Sequence, residues 1–241
     1  MMQAVSTRAS GRYLLLASML YIWSLPAQAE QDLLIGGSQY SRTSSYSYLG
    51  IIKPVADGQL GQGWFVSAIG SWLTYEYDIN FNNQADRLKA KAPGIDFGLG
   101  YGWQGDQYYL QLSTAAGYRD YRLSPEVPGE EPEGSTLSLM PQLQAGYQFT
   151  PKFDVGLISN WSIGPQSQFN RLRLGYRPTG MWHVGLEGMY QEGKSYRIKQ
   201  YGLFVTRYLA DGLSLEIHGG TLESQDISSA AYVGAAFSKS F

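Results

Sequence analysis

The chain has 241 residues, a formal net charge of −2 and no cysteine. Mild acidity gives no basic footprint, which argues against nucleic-acid binding, and the lack of cysteine excludes a disulfide framework. With 29 Gly, 19 Tyr and 6 Trp but only 16 % charged residues, the composition suits many short strands joined by turns.

Residues 1–29 read as a secretory signal peptide. Arg8 and Arg12 form a positive start, Tyr13–Leu25 is an apolar run, and Pro26-Ala27-Gln28-Ala29 offers an A-x-A cleavage site. The run is too short for a membrane-spanning helix. Cleavage would remove Arg8 and Arg12, leaving 16 Lys and Arg against 20 Asp and Glu. Beyond residue 29 there is no apolar run of about 20 residues, so no spanning helix is expected.

Alternation of apolar and small or polar residues then predicts strand after strand. Leu33–Ser41 is the first, with a turn at Arg42–Ser44. Ser45–Val55 returns, with Pro54 at its end because proline cannot serve a central ladder. A turn covers Asp57–Gln62, and Trp64–Ile79 is a long strand that outruns the 9–11 or so residues needed to cross hydrocarbon. Asn80–Lys91 reads as a polar loop. Ile95, Phe97, Leu99, Tyr101 and Trp103 then alternate with Asp96 and glycines. Gly105-Asp106 turns into Tyr108–Leu123. Ser124–Ser135, with three prolines and four glutamates, reads as a mobile acidic loop.

Leu137–Phe149 follows, then a turn at Thr150–Lys152 and a strand over Asp154–Ile163. After Gly164–Gln168 come Arg171–Arg177, a turn at Pro178–Gly180, and Trp182–Gln191. A loop is expected at Glu192–Ser195 before Gln200–Leu209. Ala210–Gly212 turns into Leu213–His218, and Glu223–Ser228 is the last predicted loop. Ala230–Phe241 closes the series, with Tyr232 and Gly234 on one face and Val233 and Phe237 on the other.

Twelve strands result. The expected fold is all-β: an antiparallel transmembrane β-barrel over residues 30–241, with N and C termini periplasmic and Ala230–Phe241 paired with Leu33–Ser41. One face of each strand is Leu, Val, Tyr, Trp and Phe. The other holds Gly, Ser, Gln and charges, which a dry sandwich core would bury at several kcal/mol per unpaired ion. A wet lumen removes that cost. Trp64, Trp103, Tyr147 and Trp182 stand where interfacial aromatic belts form.

The lumen-lining candidates follow from this parity. Arg171, Arg173 and Arg177 make a basic ladder, which Glu187 could pair. His183, Glu216 and His218 share the inner face, as do Asn160, Gln142, Gln144 and Asp154. The ladder reads either as an anion- or sugar-lining stripe or as internal salt bridging. A lipid-modifying hydrolase would need a nucleophile near histidine, and the nearest set is His218 with Glu216 or Glu223 and Ser224. No serine follows at short spacing in His183-Val184-Gly185 or His218-Gly219-Gly220. No metal or cofactor motif is present.

Gly36–Asp78 resembles the BcsS family of bacterial cellulose-biosynthesis proteins. The resemblance rests on Gly36-Gly37, Ser41-Arg42, the run Ser45 to Gly50 (SYSYLG), Gly63-Trp64 and Tyr75-Glu76-Tyr77. It implies an outer-membrane protein tied to cellulose synthesis or secretion, without catalytic residues. The implied partners are cellulose-synthase components or the polysaccharide, besides outer-membrane lipid and lipopolysaccharide. The closing strand resembles the signal read by the barrel-assembly machinery in Tyr232, Gly234, Phe237 and Phe241. Two function classes stand: an exopolysaccharide accessory, as conduit or anchor, and a small porin or structural barrel. A lipid-modifying hydrolase is a third.

Overall fold

The computed structural model describes residues 32–56, 58–81, 84–125, 134–194, 196–224 and 229–241. Residues 1–29 and most of the acidic loop (126–133) lie outside that set. Twelve strands follow in chain order: β1 (Leu33–Ser41), β2 (Ser44–Pro54), β3 (Gly63–Phe81), β4 (Gln84–Gln104), β5 (Tyr108–Ser124) and β6 (Gly134–Thr150). Then come β7 (Phe153–Ser162), β8 (Ser167–Thr179), β9 (Trp182–Gly193), β10 (Tyr196–Tyr208), β11 (Leu213–Ser224) and β12 (Ala230–Ser240). All neighbours are antiparallel and the sheet closes on itself, β12 pairing β1 from Leu33↔Ser240 to Ser41↔Tyr232. Closure leaves no edge strand, so where all twelve strands run side by side the backbone groups find partners within the wall. Asp32 and Phe241 extend the seam by two further backbone hydrogen bonds of 2.9 and 3.0 Å.

Several of the expected loops are partly strand. Asn80–Lys91 was read as a polar loop, yet β4 begins at Gln84 and pairs β3 out to Phe81↔Gln84. Leu88, Ala90 and Ala92 alternate with Arg87, Lys89 and Lys91, and the first three are buried. Two of the outward cations are held by Glu76, at 3.1 Å from Lys89 and 3.7 Å from Arg87. Charge on one face of an alternating segment is thus compatible with a projecting hairpin. Glu192 and Gly193 likewise belong to β9, which pairs β10 out to Tyr196↔Gly193. Glu223 and Ser224 end β11 rather than opening a loop.

These extensions make the wall uneven. β3 to β6 have 17 to 21 residues, whereas β7 has 10. The extra length lies at the end away from the termini, called the distal end below. Exposed pairs such as Arg122–Asp120 (2.7 Å) and Arg197–Glu192 (2.6 Å) mark that end. Each is worth little in water.

The outer face is an apolar band. Leu99, Leu112, Leu139, Leu174, Leu186, Leu203 and Ile217 stand exposed around it. Toward the terminal end the band meets aromatic rings: Trp64 packs on Tyr101 at 5.2 Å and Tyr101 on Trp103 at 4.7 Å. Tyr147 meets Phe149 at 5.3 Å, Phe153 meets Tyr176 at 5.0 Å, and Arg207 lies 5.1 Å over Trp182. Amphipathic rings at one level are what a membrane–water boundary selects.

The interior differs from a wet polar lumen. Leu33, Ile35, Tyr46, Leu73, Tyr75, Leu88 and Tyr121 form one buried apolar cluster within β1 to β5. Ile158, Phe169, Met189, Ile198, Leu222 and Tyr232 belong to a second on the other side. The inward face was expected to be polar and small, but these bulky residues occupy much of it. The inside of a narrow barrel is a packed core wherever side chains meet across it.

Candidate functional site

The polar centre of the interior is built by strand parity. On β8 the inward row is Arg171, Arg173, Gly175 and Arg177, and both Arg171 and Arg173 are only 2 % exposed. Glu187 on β9 lies opposite Arg173 in the ladder. Its Oε2 accepts from Arg171 Nη2 at 2.5 Å and Nε at 3.1 Å, and from Arg173 Nη2 at 2.9 Å and Nε at 3.1 Å. Its Oε1 accepts from the Tyr232 hydroxyl at 3.0 Å. Arg173 forks onward to Glu216 of β11, at 2.8 and 2.6 Å. Thr206 adds a 2.9 Å donor to the same carboxylate. Bidentate arginine–carboxylate pairs of this kind are the strongest and most directional of side-chain hydrogen bonds.

The network continues to the seam. His218 places Nδ1 3.4 Å from Glu216 and Nε2 3.3 Å from Gln39 Oε1. Gln39 Nε2 donates to Gln200 Oε1 at 3.4 Å. Gly234 makes this possible, because a β-carbon there would collide with the His218 ring. A second group sits nearer the terminal end. Asp154 is within 3.1 Å of His183 Nε2 and 3.3 Å of Arg177 Nε. Gly175 leaves the space that this pair occupies. Phe204 lies between the two groups, with Arg173 4.2 Å over its ring and His183 edge-on at 5.0 Å.

The predicted residues are therefore partly brought together. Arg171, Arg173, Glu187, Glu216 and His218 form one assembly, and His183 and Arg177 meet at Asp154. Asn160 Nδ2 donates to Gln142 Oε1 at 3.3 Å on the adjoining strands β7 and β6, with Gln144 in the next inward position of β6. Three arginines face three carboxylates, so this polar centre is formally balanced. Its charges are buried rather than hydrated, and pairing offsets the desolvation cost that a wet lumen was expected to remove. Gln39, Gln200, Thr206 and Phe204 were not singled out in the sequence. Only their parity marks them, because the strands that bring them together are far apart in the chain.

Tyr232 and Gly234, grouped with Phe237 and Phe241 as an assembly signal, point inward, while Phe237 and Phe241 point outward. Tyr232 is 3 % exposed and its neighbour Val233 is 60 % exposed. The hydrolase set does not assemble. Ser224 lies six residues along β11 from His218, about 20 Å at the rise of a strand. Among the described residues no group of three or more His, Asp or Glu side chains is arranged to hold a metal ion.

A family model described as cellulose biosynthesis protein BcsS matches residues 33–241. The chain belongs to the BcsS family. The match extends the resemblance seen in Gly36–Asp78 over all twelve strands. Comparison with curated protein sequences gave no match. Among solved structures, a KdgM porin in complex with disordered oligogalacturonate has a TM-score of 0.57 at 10 % identity, covering 87 % of this chain and 99 % of that one. The beta domain of the Bordetella autotransporter BrkA gives 0.54 at 17 % identity, over 89 % and 100 %. A NanC porin gives 0.52 at 9 %, over 86 % and 98 %. At such identities the likeness concerns the fold, an outer-membrane-type barrel. This BcsS-family chain is thus an outer-membrane-type barrel of cellulose biosynthesis.

Proposed function

We propose that this BcsS-family barrel sits in the bacterial outer membrane as a non-enzymatic anchor of the cellulose-synthesis system, closed to a through-going glucan chain. The carrying observation is the side-chain bridging of the interior: β8 is tied to β11, β9 to β12, and β1 to both β10 and β11. Buried Leu73, Tyr75, Leu88 and Tyr121 occupy the distal part of the opposite wall. A conduit needs an aqueous path with exchangeable polar lining, and a porin for acidic sugars needs a net positive one. The balanced Arg171, Arg173, Arg177, Glu187, Glu216 and Asp154 set offers neither. Among the described residues no serine stands beside His218, which supports a non-enzymatic role. Periplasmic termini fit the short terminal-end turns and the projecting, charged distal hairpins.

The test is single-channel recording of the purified barrel in planar bilayers. The expected result is no conductance steps, together with lowered cellulose output from a strain lacking the protein. Steady open-channel steps would overturn the closed-barrel reading. Unchanged cellulose in the deletion strain would overturn the anchor.

A further inference from the structure

One part of the interior is not packed. β3 to β6 carry small inward residues at mid-height: the ladder sets Ser67 beside Gly98, Gly98 beside Ala115, and Gly100 beside Ser113. All but the tightly covered Gly100 are only half-buried although they face inward, so they border open space. Toward the distal end the space is closed by Arg119, whose guanidinium donates to Ala92 O at 2.8 Å and Ser71 Oγ at 2.9 Å. Buried Tyr46 and Tyr121 lie beyond it. Toward the terminal end, inward-facing Phe65 and Gln148 are partly accessible.

Small residues alone would be only a gap, but polar groups without partners border this one. Gln144 is 5 % exposed, and its Nε2 has no hydrogen-bond partner. It faces Gln111 across the β5–β6 ladder, next to the Ser113–Gln142 pair. Asp96 stands beside Gly117, which leaves room for its carboxylate. It feels the charge of Arg119 yet hydrogen-bonds no described side chain. The ring of Phe65 lies over Gly100 and that of Tyr109 over Gly146, so both are held close to the wall. A buried amide left unpaired is unfavourable unless something satisfies it.

We infer that this recess is a binding site for a short neutral oligosaccharide, a β-linked glucan in the cellulose setting. The choice of sugar rests on the proposed function above; the recess itself does not. Each sugar hydroxyl both donates and accepts. Asp96 accepts, Gln144 Nε2 donates, Gln111 does both, and the rings offer apolar surface to sugar C–H faces. A few convergent polar groups on an otherwise small and apolar wall are how ligand sites set specificity. Asp96 and Arg119 offset each other, so no net charge favours an acidic sugar.

Isothermal titration of the detergent-solubilised full-length barrel with cellohexaose tests this. Wild type is expected to bind, Ser113→Trp to bind nothing because the indole fills the recess, and Asp96→Asn to bind about tenfold more weakly. Heat-modifiable gel migration checks that each variant is folded. Asp96→Asn changes no packing, so it serves even if Ser113→Trp fails to fold. No heat with millimolar cellohexaose, equal affinity in either folded variant, or equal binding of hexagalacturonate would overturn the inference. Absent binding with absent conductance refutes the recess alone, whereas conductance refutes the closed-barrel reading alone.

Discussion

Glu187→Ala is expected to destabilise the folded barrel by about 3–5 kcal/mol, the cost of leaving buried charge without its partner. Glu187 accepts from two guanidinium nitrogens of each of two arginines and from Tyr232. Its removal leaves Arg171 without its closest anion, since Glu216 lies 3.6 Å away and is already engaged by Arg173. Water cannot readily compensate, because both arginines are enclosed. Urea unfolding in micelles, followed by tryptophan fluorescence, gives the value. Pairing Arg171→Met with Glu187→Gln removes one cation and one anion together. That double variant should regain most of the loss, because the Arg173–Glu216 fork survives and the charge balances again. A change below about 1 kcal/mol for Glu187→Ala, the level of a surface pair, would show that these ion pairs do not hold the interior shut.

Deleting Phe241 is expected to lower the amount of assembled barrel in the outer membrane. Two contributions are separable. The backbone of Phe241 exchanges hydrogen bonds with Asp32 at the end of the seam, worth about 1–3 kcal/mol for the pair. Its ring is 60 % exposed on the outer face, where insertion machinery could read it. Phe241→Ala keeps the backbone bonds and removes the ring. If the ring is the recognised feature, Phe241→Ala should match the deletion when outer-membrane fractions are quantified by immunoblot. Normal levels of both variants would dismiss the recognition role. Tyr232 cannot substitute for the ring, because its hydroxyl is committed to Glu187 inside.

Alternation was the legible signal, and it located all twelve strands and the seam partner. It failed where charge was taken as evidence against a strand. Arg87, Lys89 and Lys91 pointed to a loop, although Leu88, Ala90 and Ala92 between them kept the period. An outward face beyond the hydrocarbon is free to be charged, so the polar count of a segment says little once strands outrun the membrane. The inner face was legible in parity but not in character. Arg173 and Glu187 could be placed inside from the sequence. That Leu73, Tyr75 and Leu88 would share the interior with them could not, because a bulky residue on either face of a strand looks the same in one dimension.

The candidate site divides the same way. The Arg171–Arg173–Glu187 part was readable, since β8 and β9 are consecutive and the residues lie near one another in the chain. The His218–Gln39 contact spans 179 positions and Arg173–Glu216 spans 43, and no local pattern encodes either. They depend on which strands the closed wall sets facing one another.

By itself, then, the sequence determined the strand count, the pairing of Ala230–Phe241 with Leu33–Ser41, and, where the alternation was clean, which side chains point inward. These follow from a period of two and from hairpin connectivity, both of which are local. Only the tertiary structure decided how the inward side chains meet. Closure brings β8 within reach of β11 and β1 within reach of β10, turning a basic ladder into a neutral, buried network. It also leaves the glycine and serine wall of β3 to β6 facing open space. Whether an inward residue packs, pairs or borders a recess depends on what stands across the barrel, and that distance is set by the curvature of the whole sheet.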